Sequence, residues 1–256
     1  MLQQQKNAKH IPMDQQEKNT IDPLGDGISS VTLIRASGSD IDVANAARVS
    51  YGKVTHEITD RDIKLITFLM NHNHTSPFEH NQLSFRIKCP LYIARQWMRH
   101  RMNSYNEISY RYVKAKDEFY MPPKWRAPDE VNKQGSVGGF KDEQLEQKYK
   151  DAIEQSMKTY EALLEAGVCR EQARGLLPLC TYTEFIFTCN LHSLCHFLKL
   201  RLGQGAQHEI QSYAQALLKL ALPSFPVSLG AWKNKYMPEL DLKLENLETV
   251  LGDDAQ

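Results

Sequence analysis

"QLSFRIKCPLYIARQWMRHRMNSYNEISYRY", residues 82–112, changes its periodicity twice. Over residues 82–88, Leu83, Phe85 and Ile87 alternate with polar neighbours, the period of two that marks a half-buried strand. Pro90 stands where the first turn of a helix would begin, and "LYIARQWMRHR" (91–101) is expected to be that helix. On it Gln96, Arg99 and Asn103 lie at i, i+3 and i+7 and share a face, with Arg95 one turn before Arg99. Ser104, Ser109 and Arg111 follow, adding hydroxyls and another guanidinium. Residues 99–112 thus crowd Arg99, His100, Arg101 and Arg111 among three tyrosines, a density of anion-binding groups that needs a reason.

Outward from that stretch, the chain alternates strands and helices. "SVTLIRA" (30–36) has the composition of a strand. Ser39 with Asp42, and Thr59 with Asp62, have capping-box spacing and open two helices. From 142 to 166, Leu145, Tyr149, Ile153, Met157, Tyr160 and Leu164 recur every three or four positions, and Gly167 closes an amphipathic helix. "TYTEFIFTC" (181–189) suits a strand or a buried helix, and its period does not decide between them. Two further helices are expected over "NLHSLCHFLKLRL", N-capped by Asn190, and "AQHEIQSYAQALLKLAL". Residues 122–141 carry three prolines and three glycines and read as a surface loop, with no GK[ST] to make a phosphate-binding P-loop. Residues 1–27, rich in Gln, Asn and Lys, predict a disordered or loosely attached arm, and 227–256 a polar tail. One domain over 28–226 lies between them.

The 256-residue chain can bury a sizeable core, and its 31 Lys and Arg balance 31 Asp and Glu. No global field therefore draws it to nucleic acid or membrane, so any anion site is local. No run nears the roughly 18 consecutive apolar residues of a membrane span. The first nineteen residues hold no apolar core, which predicts no secretory signal. Five cysteines without a CxxC pair point to reduced thiols and a cytoplasmic protein.

Planar arginine forks suit phosphate oxygens, which accept two parallel charged hydrogen bonds. The bland alternative is a solvated basic face compensated by Glu107, and by itself it has the better odds. Arginines interleaved with tyrosines also suit single-stranded RNA, but a neutral chain with no second basic patch favours a compact nucleotide over a polymer. A metal-dependent hydrolase is a third class, drawing on His72, His74 and His80 or on Cys189, His192 and His196 at i, i+3 and i+7. Neither group has HExxH or CxxC spacing, and no metal is expected.

The run Arg99-His100-Arg101, seven residues, then Ser109 resembles the signature of the flavin-dependent thymidylate synthases. "ANAARVSYG", "HTSPFEH", "YMPP", "EQARGLLPL" and "HFLKLR…AQHEIQ" resemble that family's other blocks in the same order, covering about residues 30–222. The resemblance implies an α+β subunit, an antiparallel sheet packed with long helices, assembled as a homotetramer with active sites at subunit contacts. It implies FAD as cofactor, with NADPH and methylenetetrahydrofolate as co-substrates for reductive methylation of dUMP to dTMP.

By position, Ser76, Arg99, His100, Arg101, Glu107, Asn190, His192 and His196 would contact FAD. Ser50, His74 and Glu79 would neighbour the FAD site, and Gln96, Arg99, Glu107, Ile108, Ser109, Tyr110, Arg111, Arg174 and Arg201 would surround dUMP. Arg201 would be catalytic, stabilising an electron-rich uracil ring in place of a cysteine adduct. Taken alone, Arg201 is as readily a helix-surface arginine paired with a carboxylate such as Glu209. His192 stands where the family commonly has arginine, Tyr110 where it often has a small residue, and Gly205 where it often has His or Asp.

Overall fold

The computed structural model describes residues 8–10 and 19–240. Its elements in chain order begin with strands β1 (Ala8–His10), β2 (Thr20–Ile21) and β3 (Ser30–Ser37), then helices α1 (Asp40–Arg48) and α2 (Asp60–Asn71). Strand β4 (Gln82–Pro90), helix α3 (Leu91–Trp97), and strands β5 (Ser104–Glu107), β6 (Trp125–Pro128) and β7 (Ser136–Phe140) follow. Helices α4 (Glu143–Glu165) and α5 (Arg170–Ala173), strand β8 (Tyr182–Cys189), and helices α6 (Leu191–Arg201), α7 (His208–Ala221) and α8 (Pro226–Tyr236) are the last among the described residues.

One antiparallel sheet runs β1-β3-β4-β8-β5, with β2 also on β3. The period of two places Leu83, Phe85 and Ile87 directly opposite Cys189, Phe187 and Phe185, and all six are buried on one face. Helices α6 and α7 roof that face through Phe197, Tyr213 and Leu217. The opposite face is polar, with Thr188 donating to Ser84 and Arg86 to Glu184 at 3.0 Å each. An antiparallel sheet tolerates such a division because nothing obliges both of its faces to be covered. The result is a mixed α+β single domain. Among the described residues no helix is long and apolar enough to cross a membrane.

Both capping boxes form: Ser39 N–H donates to Asp42 (2.7 Å) and Thr59 N–H to Asp62 (3.0 Å). Asp62 also takes Arg48 of α1, tying the first two helices together. Asp142 caps α4 by accepting from the backbone of Gln144 and Leu145, and Asn190 caps α6 by accepting from Ser193. Residues 181–189 resolve as strand, because only a strand can sit between β4 and β5 and satisfy both ladders.

Four expectations are corrected. The helix after Pro90 stops at Trp97, not near Arg101, so Gln96, Arg99 and Asn103 share no helical face. The Pro- and Gly-rich stretch contains the hairpin β6–β7, paired from Trp125↔Phe140 to Pro128↔Ser136. Within the region read as an arm, 8–10 and 20–21 pair with β3, and the Tyr182 hydroxyl bonds to Asp26; the rest, 1–7 and 11–18, lies outside the described residues. Residues 226–236 are a helix whose Val227, Leu229, Ala231 and Trp232 are buried, so the core extends past 226; the tail from 241 lies outside the described residues. Small residues at Ser228, Gly230 and Ala231 let α8 approach closely, and their low hydropathy disguised it.

Asp40, itself buried, holds that helix in place. Its carboxylate accepts from the backbone N–H groups of Val227 (2.8 Å) and Ser228 (3.0 Å), two donors at the start of α8 that have no partner within the helix. Asp40→Ala would strand both in the core. We expect a loss of about 2–4 kcal/mol, read as a lower urea midpoint with an unchanged slope.

Candidate active site

Trp97 ends α3. Its indole is buried against Phe185, Phe187, Phe197 and Tyr213, with ring centroids between 4.8 and 5.8 Å. The chain then turns sharply: His100 N–H donates to Trp97 O, and the Tyr105 hydroxyl donates to His100 O at 2.8 Å. Asn103 adds a bond from its amide to the same carbonyl. This turn points His100 inward, only 7% exposed, and leaves Arg99 and Arg101 exposed on either side.

An open cleft lies in front of the turn. Arg99, His100, Arg101 and Asn103 form one wall, Asn190, His192, His196 and Arg201 of α6 and its cap the other, and Glu79 the rim. His100 Nε2 accepts from Arg201 Nε at 3.0 Å, and Arg201 Nη2 donates to Gln96 O at 3.1 Å. A ring nitrogen that accepts carries no proton, so His100 is the neutral imidazole. Burial first, then the charges of Arg201 and His196, lower its pKa to about 4. Burial also lowers the Arg201 guanidinium, but arginine stays charged at neutral pH. Two of its five N–H groups are engaged, leaving the rest for a ligand. Glu209 pairs with Arg126 instead, so the surface-pair alternative for Arg201 is excluded.

Arg99, Arg101 and Arg201 form no ion pair among the described residues. Three cations facing one rim carboxylate make a strong local anion site in a neutral chain. Asn103 presents a buried amide oxygen with no partner into the same wall. His74 lines an adjoining apolar pocket that shares His192 and His196 with the cleft. Ser76 opens the single turn Ser76–Glu79, and Ser50 sits exposed in another, Val49–Tyr51.

The remaining positions gather elsewhere. Glu107 ends β5 and accepts from Thr183, Ile108 N–H bonds to Glu184 O, and the Tyr110 hydroxyl reaches Tyr182 O. Ser109 begins the turn that follows, and Arg111 pairs with Glu171 at 3.1 Å, near Arg174 on the next turn. This group flanks the start of β8, whereas the cleft flanks its end. Strand β5 separates them: its end residues Ser104 and Glu107, opposite Thr188 and Phe185, are about 10 Å apart.

The structure does not bring the candidate histidines and cysteines together. His72 bonds to Phe68 O and stacks on its ring, and Cys189 belongs to β8, off the face of α6 that carries His192 and His196. Among the described residues no three His, Cys, Asp or Glu side chains gather to hold a metal. Burial pushes the thiols of Cys89, Cys180, Cys189 and Cys195 up, the reverse of what a nucleophile needs. Sequence reading missed Gln207, Glu209 and Arg126, which connect to Gln96. Their signal was the "AQHEIQ" block, two of whose polar residues turn out to point inward.

A cleft with three arginines free of ion pairs among the described residues, beside an aromatic- and histidine-lined pocket, suits phosphate-bearing ligands such as nucleotides. A family model described as thymidylate synthase complementing protein matches residues 32–227. Flavin-dependent thymidylate synthases of Thermus thermophilus and Thermosipho africanus are 42% and 47% identical, covering 87% and 78% of this chain and 82% and 89% of theirs. A solved UMP/dUMP methylase, PolB of Streptomyces cacaoi bound with 5-Br dUMP, superposes with a TM-score of 0.75. It is 33% identical, over 81% of this chain and 96% of its own. The chain belongs to the flavin-dependent thymidylate synthase family.

The neutral state of His100 has a measurable consequence. Its folded pKa, about 4, lies below the ordinary 6.5, so the unfolded chain takes up the proton first as pH falls. Stability is therefore complete above about 6.5 and declines toward pH 4, by up to about 3 kcal/mol. We expect denaturant midpoints of the flavin-free protein to fall over that window. His100→Gln, which can still accept from Arg201, should flatten the decline relative to wild type.

Proposed function

We infer that this chain converts dUMP to dTMP by reductive methylation, with methylenetetrahydrofolate as carbon donor, FAD as hydride carrier and NADPH as reductant. The observation that carries this reading is the uncompensated arginine cleft in a chain of this family. Its greater identity to the synthases than to PolB supports deoxyuridylate as substrate.

The cleft suits FAD. A pyrophosphate matches Arg99 and Arg101, and the partnerless Asn103 oxygen waits for a donor. Asn190, His192, His196, His100, Ser76 and Glu107 are the other positions assigned to it. Bound there, FAD supplies hydride transfer. The protein's own task is to bind and polarise uracil. Arg201, held from behind by His100 and Gln96 O, presents a fixed cation to the ring. A positive charge beside the N3–C4=O edge favours the N3-deprotonated anion and so raises electron density at C5.

The dUMP positions Gln96, Arg99 and Arg201 lie at one end of β8, and Glu107, Ile108, Ser109, Tyr110, Arg111 and Arg174 at the other. In our reading each site takes its two halves from different chains of a homotetramer, with Ser50, His74 and Glu79 beside the flavin. Five free cysteines and the demand for NADPH support a cytoplasmic location.

Two outcomes test this. Arg201→Lys keeps the charge but not the fork, so FAD should stay bound while single-turnover methylation of dUMP falls by about a hundredfold or more. Unchanged single-turnover rates would remove Arg201 from catalysis. Arg174→Ala should weaken dUMP binding roughly tenfold or more, followed by flavin absorbance. Co-expressed with Arg201→Lys, it should regain activity in about a quarter of sites, because random assembly pairs two intact halves that often. Absence of recovery would place both halves on one chain.

A further inference from the structure

Gln96 is the one uncharged side chain among the dUMP positions beside Arg201, and a chain of half-buried groups ending on the buried Glu209 fixes which way its amide faces. Its Nε2 donates to Gln207 Oε1, and Gln207 Nε2 donates to Glu209 Oε2 at 2.8 Å. Glu209 is 1% exposed on its side chain. Arg126 of β6 donates to both its oxygens at 2.9 Å, and the Tyr120 hydroxyl to one of them at 3.3 Å.

The polarity of this chain follows from its far end. Burial pushes the Glu209 carboxyl up, but its own backbone N–H, Arg126 and Gln207 outweigh burial and hold it below the usual carboxylate range. An ionised carboxylate only accepts. Gln207 must therefore give it the amide NH2, which turns the Gln207 carbonyl toward Gln96. Gln96 in turn must give its own NH2 to that carbonyl. What it has left is Oε1, which makes no hydrogen bond among the described residues.

We propose that Gln207, held by Glu209 and Arg126, is a positioning residue that makes Gln96 an obligatory hydrogen-bond acceptor toward the nucleotide. This rests on the reading of Gln96 as a dUMP ligand. An acceptor rejects phosphate oxygens and takes an N–H or O–H donor, which on dUMP means the ribose 3′-hydroxyl or, in the binding complex before Arg201 draws the ring toward its anion, the imide N3–H. It gives the β6–β7 hairpin a part in substrate recognition, since Arg126 anchors the chain from there. A freely turning glutamine would bind a donor or an acceptor alike; a pinned one discriminates.

The test uses the FAD-loaded enzyme and dUMP titration followed by flavin absorbance. Gln96→Leu should lose about three- to tenfold in dUMP affinity, the range for one neutral hydrogen bond. Gln207→Met keeps the volume but frees the Gln96 amide, and should lose a similar factor with flavin content unchanged. The double variant should be no worse than Gln96→Leu alone, since both remove one interaction. Titration with N3-methyl-dUMP and with the 3′-deoxy nucleotide identifies the donor, because wild type should discriminate against one of them more strongly than Gln96→Leu does.

Wild-type affinity in Gln207→Met, additive losses in the double variant, or loss of flavin from Gln207→Met would each overturn the positioning role while leaving Gln96 a ligand. Equal discrimination by wild type and Gln96→Leu against both analogues would overturn the acceptor assignment. Unchanged dUMP affinity in Gln96→Leu would overturn both readings.

Discussion

The burial of one indole determines where the site can form. Trp97 sits among Phe185 and Phe187 of β8, Phe197 of α6 and Tyr213 of α7, so a single side chain touches the sheet and both helices of its roof. Its Nε1–H has no partner, a cost of about 1–3 kcal/mol that the large apolar contact must offset. Because Trp97 cannot move outward, the next residues must leave the helical path. Tyr105 and Asn103 then take the His100 carbonyl that the turn exposes. The result is an alternation that no helix gives: Arg99 out, His100 in, Arg101 out.

That turn explains what the sequence conceals. Residues 91–101 have good helix formers throughout, and no local signal marks Trp97 as the end; tertiary packing does. The reverse holds for β4, where alternation of Leu83, Phe85 and Ile87 is legible because one covered face enforces it. Capping residues Ser39, Thr59, Asp142 and Asn190 are legible too, since their partners lie within three residues. Hairpin β6–β7 is not, because "SVGGF" is wholly exposed and has no face to alternate about. Helix α8 escapes notice since its packing relies on small residues and on Asp40, far away in sequence. The candidate site was legible as a cluster of arginines, while the assignment of roles came through resemblance. Contacts such as Gln96 with Gln207 span more than a hundred residues, beyond any periodicity.

Charge in the cleft is organised by contrast. Arg201 is held by two groups that add no negative charge, a neutral imidazole and a backbone carbonyl, so its field remains available to a ligand. A carboxylate could have paired with Arg201 directly, and Glu209 is near enough in sequence to have served. It is instead turned to Arg126 and Gln207. A carboxylate on Arg201 would stabilise the resting protein and weaken the cation exactly where developing negative charge on uracil needs it.

 

The same economy of placement explains the short edge strand. β5 has four residues, pairs only with β8, and carries the His100 turn at one end and the Ser109 turn at the other. Its register, Ser104↔Thr188 to Glu107↔Phe185, fixes the spacing between the two groups of basic residues as firmly as any core contact. A rigid spacer of this kind keeps the Arg99–Arg201 group and the Arg111–Arg174 group from collapsing onto each other or onto a shared carboxylate. The Arg99–Arg201 group keeps its positive charge unpaired, while Arg111 is partly balanced by Glu171. Under the proposed assembly, the two halves meet only when another chain supplies the missing one, so binding of the nucleotide and association of the subunits draw on the same electrostatic attraction. Ligand binding to the assembled form alone would then stabilise the assembly by mass action.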